Sequence, residues 1–202
     1  MNNRFRLVTF LSVLLLTTMA CSLTRNTPTP PTVSDGEDQN VQVTEVRQLT
    51  EFTGIDMDGG ATVNLVQGRE HSITVEGSRR VVDQVVTEVI DGVLEIHYSN
   101  RELFENWNEK LTLTITFADL SKFRLDGGVE LKADNLNLEQ LSFTVNGGAS
   151  VKMNNLVINT LTMTLAGGGD IRIAGVAENL TVNVSGGTNF EAEDLKCANV
   201  NV

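Results

Sequence analysis

The sequence predicts an all-β chain wound as a parallel β-helix or β-solenoid, with Gly-Gly corners and about 20 residues per coil. Three observations predict it. A double glycine recurs at Gly127-Gly128, Gly147-Gly148, Gly167-Gly168 and Gly186-Gly187, at spacings of 20, 20 and 19 residues. A fixed period in that range marks units that bury their apolar faces only by stacking on one another. Apolar residues also keep fixed offsets from the first glycine. Four residues on stand Leu131, Val151, Ile171 and Phe190; six on, Ala133, Met153, Ile173 and Ala192; nine on, Leu136, Leu156, Val176 and Leu195. Polar residues alternate with them, which is the period of a half-buried strand. Finally, no proline follows Pro31, as a ladder of backbone hydrogen bonds requires. Glycine pairs also make antiparallel hairpin turns, but a sandwich of hairpins does not explain the 20-residue register of every apolar column.

The chain starts with a targeting segment, residues 1–21. Arg4 and Arg6 precede the apolar run Leu7 to Ala20, which is too short to span a bilayer comfortably. Thr18-Met19-Ala20 leads into Cys21, the pattern of a lipoprotein signal whose cysteine is acylated, with Thr18 where leucine is usual. The alternative is an ordinary secretory signal cleaved nearby. Residues 22–45 read as a tether: Pro28, Pro30 and Pro31 stand in a threonine-rich stretch, and an acidic polar run follows. Such a composition stays extended and builds no core. Residues 46–202 then form one domain.

Within that domain the first coil is Phe52 to Leu65, because Gly59-Gly60 is followed by Val63 and Leu65 at the same offsets. Ser72 to Glu76 reads as a short strand, and Arg79 to Val86 as one or two helical turns. Asp91-Gly92 between two apolar runs predicts a hairpin. Leu111 to Phe117 alternates with threonines and reads as a strand. The segment Ser99 to Lys110 holds Phe104 and Trp107, an aromatic pair suited to a sugar or protein contact or to folding back on the sheet edge. In the later coils Leu141, Phe143 and Val145, then Leu161, Met163 and Leu165, then Leu180, Val182 and Val184 supply a second inward strand. Cys197 falls in the column of Leu138 and Ile158 and reads as a buried core thiol. A Cys21–Cys197 disulfide is the minor alternative. The sequence ends in mid-repeat at Val202, which leaves a coil end open to truncation or to self-association.

Removal of the first 20 residues takes away two arginines and no acid, leaving 13 basic against 26 acidic residues, a net charge near −13. Nucleic acid and anionic lipid surfaces are therefore poor partners. No cofactor is expected. His71 and His97 have no neighbours at metal-ligand spacing, so no metal site is predicted, and no nucleophile elbow or phosphate loop is present. Glu130 and Asp170 share an outward column two coils apart, the one carboxylate arrangement open to glycan hydrolysis. Lys132, Lys152 and Arg172 share another. Three like charges on successive coils repel, so the column is either an anion site, for acidic glycan, or a solvated face neutralised by Glu130, Asp170 and Glu191.

The succession Phe52-x-Gly54-Ile55, Gly59-Gly60-Ala61-x-Val63, Thr87-Glu88-Val89-x-Asp91-Gly92-x-Leu94-x-Ile96 and the repeated Gly-Gly coils resembles the "putative auto-transporter adhesin, head GIN domain" family across about residues 44–202. The resemblance implies a right-handed β-helix-like solenoid, a bacterial envelope lipoprotein, and no established catalytic residues. The function expected is a non-catalytic binding or adhesion module, held on a membrane by acylated Cys21 and meeting envelope or extracellular polysaccharide or protein. A self-associating scaffold and a polysaccharide-active enzyme are the alternatives.

Overall fold

A computed structural model describes residues 40–100 and 110–202. In chain order the elements are β1 (Gln42–Gln48), β2 (Gly54–Asp58), β3 (Ala61–Gln67), β4 (Ser72–Ser78), α1 (Arg79–Val82), β5 (Val85–Ile90), β6 (Val93–Tyr98), β7 (Thr112–Phe117), β8 (Lys122–Asp126), β9 (Val129–Asp134), β10 (Asn137–Glu191) and β11 (Leu195–Asn201). All strands join one curled sheet, in the order β1-β4-β7-β3-β9-β10-β8-β2-β6-β5, with β11 also paired to β10.

The repeat produces parallel pairing at a 20-residue offset. Phe143 pairs with Phe123, Val151 with Leu131 and Ala177 with Cys197. The strands of the predicted first coil join the same parallel ladders: Ile55 pairs with Phe123 and Val63 with Leu131. Side chains of a strand alternate between faces, so every second residue of these ladders points inward. Ile55, Met57, Val63, Leu65, Leu131, Val151, Ile171, Leu161, Met163 and Leu165 are accordingly buried in one continuous core.

The corners explain why β10 runs through three double glycines without a break. The first glycine of each pair has positive φ: 128° at Gly127, 120° at Gly147, 153° at Gly167 and 128° at Gly186. Each sits on the corner below, and a Cβ on Gly167 would overlap the Gly147 carbonyl oxygen. The second glycines are different. A Cβ on Gly148 would lie 3.9 Å from the nearest atom, and one on Gly128 would meet nothing. A second corner lies at Asn135 and Asn155, whose φ values are 59° and 52°, and Asn155 Nδ2 donates to Asn135 Oδ1 at 3.1 Å.

That second corner corrects the sequence reading of Val176. The 19-residue repeat is short by one residue here: Gly175, with φ 143°, pairs with Leu195 and sits against the Leu156 carbonyl. Gly175 therefore takes the place of Leu136 and Leu156 in the column, and Val176 turns outward at 50% exposure. Cys197 does align with Ala177, but it is only half-buried and free, and this partial burial pushes its thiol pKa upward. Val184 is exposed, unlike its counterparts Val145 and Leu165.

The amino-terminal half of the described domain departs from the all-parallel reading. β1 pairs antiparallel with β4, β4 with β7 and β5 with β6. β1 begins at Gln42, inside the stretch assigned to the tether. The predicted hairpin is present, with Asp91 and Gly92 at φ 50° and 76°, both positive as a type I′ turn demands. Two predicted elements differ in length: β4 runs on to Ser78, and the helix is a single turn that buries Val81 and Val82.

β1 and β5 are the two ends of the strand order, and Arg47 joins them. From β1 its guanidinium donates to the Val85 carbonyl at 2.6 Å, to Thr87 Oγ1 at 3.2 Å and to the Val82 carbonyl at 3.3 Å. Glu45 holds the same group at 2.8 Å, and the hydrogen bond from Arg47 lowers the Glu45 carboxyl pKa. The arginine thus occupies edge carbonyls that would otherwise template a foreign strand. Arg47→Ala should destabilise the fold by about 1–3 kcal/mol, because partly buried acceptors lose their donor. Earlier hydrogen exchange in β1 than in β4, together with concentration-dependent association, is the expected result.

Candidate ligand-binding face

Strands β7, β3, β9 and the Ala149–Asn154 part of β10 lie side by side, and the alternation that buries their apolar residues aims the others outward. Two outward columns result. One runs Thr112, Thr62, Glu130, Ser150; the other Thr114, Asn64, Lys132, Lys152. Gly167 stacks on Gly147 and Gly169 on Ala149, which continues the columns to Asp170 and Arg172. The structure therefore brings the three predicted cations together, on adjacent strands of the kind that lie about 4.8 Å apart.

Their electrostatic states differ. Lys132 Nζ is 2.7 Å from Glu130 Oε1, and that hydrogen bond holds the Glu130 carboxyl below its ordinary range. Arg172 binds Glu191 through two nitrogens, at 2.6 and 3.2 Å, which lowers the Glu191 carboxyl pKa and raises that of Arg172. Lys152 has no ion pair among the described residues, and the outward residue two positions before it is Ser150, not an acid. A shallow groove beside Lys152 is lined by Asn154, Arg172, Glu191, Glu193 and Asp194.

The catalytic alternative receives no support from this geometry. Glu130 is an exposed, ion-paired carboxylate with a lowered pKa, whereas a general acid needs a raised one, and Asp170 accepts from Asn189 at 3.2 Å. Among the described residues no group of three or more His, Cys, Asp or Glu is placed to hold a metal ion. His71 serves packing: it meets the Phe52 ring edge-on at 4.9 Å and accepts from the Phe52 amide at 3.4 Å. Phe104 and Trp107 lie outside the described residues, as do Cys21, the signal segment and the tether up to residue 39. Tyr98 is in view and turns inward. Its ring fills the space beside Gly59, and its hydroxyl donates to the Gly60 carbonyl at 2.8 Å, so it plugs the first corner.

Sequence reasoning missed the amide ladders along the outer face. Asn146 donates to Asp126 at 2.7 Å, Asn154 to Asp134 at 2.7 Å, Asn159 to Glu139 at 2.9 Å and Asn199 to Asn179 at 2.9 Å. Each pair is 20 residues apart, so the period already found in the apolar columns was the signal for them. Among the described residues no helix is long and apolar enough to cross a membrane.

The family model described as "Putative auto-transporter adhesin, head GIN domain" matches residues 51–202. The chain belongs to this family. Solved structures agree at the level of fold for this GIN-domain chain. A putative adhesin from Bacteroides fragilis is 20% identical with a TM-score of 0.70, over 81% of this chain and 76% of that one. A putative adhesin from Parabacteroides distasonis is 18% identical with a TM-score of 0.58, over 81% and 78%. A putative lipid binding protein from the same organism is 15% identical with a TM-score of 0.55, over 79% and 76%. A comparison with curated proteins finds no match. The family and the first two of these neighbours are described as adhesins rather than enzymes, and an adhesin-like family points to the cell envelope or surface.

Proposed function

We propose that this GIN-domain chain is a non-catalytic binding module of the cell envelope, and that its ligand is an acidic glycan held on the Lys132, Lys152 and Arg172 column. In this reading Cys21 is acylated, residues 22–41 form the tether, and the stacked coils wind as a right-handed solenoid that displays side chains at fixed spacing. A lipid anchor would hold the protein at a membrane surface without crossing it. The observation that carries the reading is the register of Lys132 with Lys152, continued to Arg172. The sheet keeps three cations in one column on a chain of net charge −11, two of them ion-paired and Lys152 left for a bound anion to neutralise.

The test compares the full chain with the Lys132→Ser/Lys152→Ser/Arg172→Ser variant in titrations against soluble acidic polysaccharides. Binding should fall by about tenfold or more, the scale of one or more lost charge-assisted contacts. The urea unfolding midpoint should hardly move, since exposed substitutions stay within about 0.5 kcal/mol. Equal affinity of the two proteins for every acidic polysaccharide they bind would reject the assignment.

A further inference from the structure

We infer that Lys152, with Ser150 beside it, is the receptive point of the column, and that it selects the isolated carboxylate of a sugar acid on an otherwise neutral glycan over a uniformly charged polyanion. This rests on the binding reading above and narrows it to one residue and one charge pattern.

Three successive coils differ at this column. At the first, Glu130 stands two residues before the cation and neutralises Lys132 at 2.7 Å. At the third, Asp170 stands in that position, and Arg172 is engaged by both oxygens of Glu191. At the middle coil the position is Ser150, paired across the ladder with Glu130. A hydroxyl cannot neutralise an ammonium group, but it can donate a hydrogen bond to an anion that does. Lys152 therefore keeps its charge uncompensated by any ion pair among the described residues, while both neighbours already have carboxylate partners.

The same pattern sets the charge spacing of the ligand. Glu130 and Asp170 flank Ser150 on the coils below and above, each about 4.8 Å away by strand spacing. Glu193 and Asp194 border the groove next to Lys152. One carboxylate at Lys152 is attracted. A second, one sugar further along the stack, comes level with Glu130 or Asp170 and is repelled. A glycan whose acid recurs on alternate sugars avoids that repulsion: its neutral sugar lies level with Glu130, and its next acid falls two strands away beside the uncharged Thr62 and Asn64.

Single variants of the full chain, titrated with a hyaluronate hexasaccharide and with a polygalacturonate of equal length, test this. Lys152→Ser should weaken hyaluronate binding about tenfold or more, as loss of a charge-assisted contact does. Lys132→Ser and Arg172→Ser should each weaken it by a smaller factor than Lys152→Ser, since Glu130 and Glu191 already share their charges, and Lys122→Ser, exposed on β8 away from the column, should leave it within about threefold. Ser150→Glu should weaken binding as much as Lys152→Ser by supplying the missing counter-ion, and Lys152→Arg should restore most of it. Wild-type protein should prefer hyaluronate. Equal losses in the three single serine variants of the column, wild-type affinity in Ser150→Glu, or a preference for polygalacturonate would overturn the inference and leave the column reading standing. Failure of the wild type to bind either glycan, or any other acidic polysaccharide, would remove both.

Discussion

Gly167→Val is expected to destabilise the fold by about 3–5 kcal/mol, enough to unfold much of a domain whose total stability is of order 5–15 kcal/mol. Two effects combine. Gly167 has φ 153°, a conformation that a β-branched residue adopts only with strain of about 1–3 kcal/mol. Its missing Cβ is also the reason the corner can stack, since an added carbon would overlap the Gly147 carbonyl oxygen. The atoms that carbon would meet are all Gly147 backbone, so no flexible side chain can move aside, and overpacking of this kind costs about another 1–3 kcal/mol. Gly148→Ala is the matched control. It lies in the same run of corners, its φ is not positive, and an added Cβ would be 3.9 Å from Gly168. That variant should remain within about 0.5 kcal/mol of wild type, or gain slightly from a stiffer unfolded chain. Urea titrations followed by circular dichroism separate the two outcomes. If both variants unfold together at the wild-type midpoint, the first glycines are not the obligatory corner residues.

The contrast within each glycine pair shows where sequence reasoning stops. The pair spacing reveals the coil length and which residues share a column, because only stacking gives Leu131, Val151 and Ile171 a common environment. It does not reveal which glycine bears the backbone demand. Nor does a 19-residue repeat say where its missing residue lies. Val176 keeps the offset of Leu136 and Leu156, yet the deletion falls before it, at the corner where Gly175 replaces the Asn-Leu pairs of the earlier coils. Antiparallel pairing of β1 was hidden for another reason. It is an edge strand whose residues are mostly exposed, so its apolar pattern is faint, and its partner β4 lies across an intervening coil. The site was half legible. The cation column follows from the repeat, but the distinction of Lys152 depends on Glu130 reaching Lys132 and Glu191 reaching Arg172. Those are side-chain geometries, and spacing alone does not select them.

Phe143→Ala is expected to cost about 3–5 kcal/mol, the range for a fully buried aromatic truncated to alanine. Phe143 is paired with Phe123 on the coil below, both are completely buried, and their rings meet at 5.6 Å and 65°. This edge-on contact adds about 0.5–1.5 kcal/mol beyond the buried area. Truncation therefore opens a cavity in the middle of a stack and also removes the partner of a second ring. The stack cannot close the gap by sliding together, because ladder hydrogen bonds hold each coil to its neighbours. Phe143→Met should behave differently. Met163 already fills the equivalent place in the next coil with no exposure, and its flexible thioether adapts to irregular space, so that exchange should cost less than about 1.5 kcal/mol. A double-mutant cycle with Phe123→Ala should return a coupling of about 0.5–1.5 kcal/mol. Strict additivity of the two alanine variants would mean that the rings do not interact across the coils, and the stacking of the core column would then have to be redrawn.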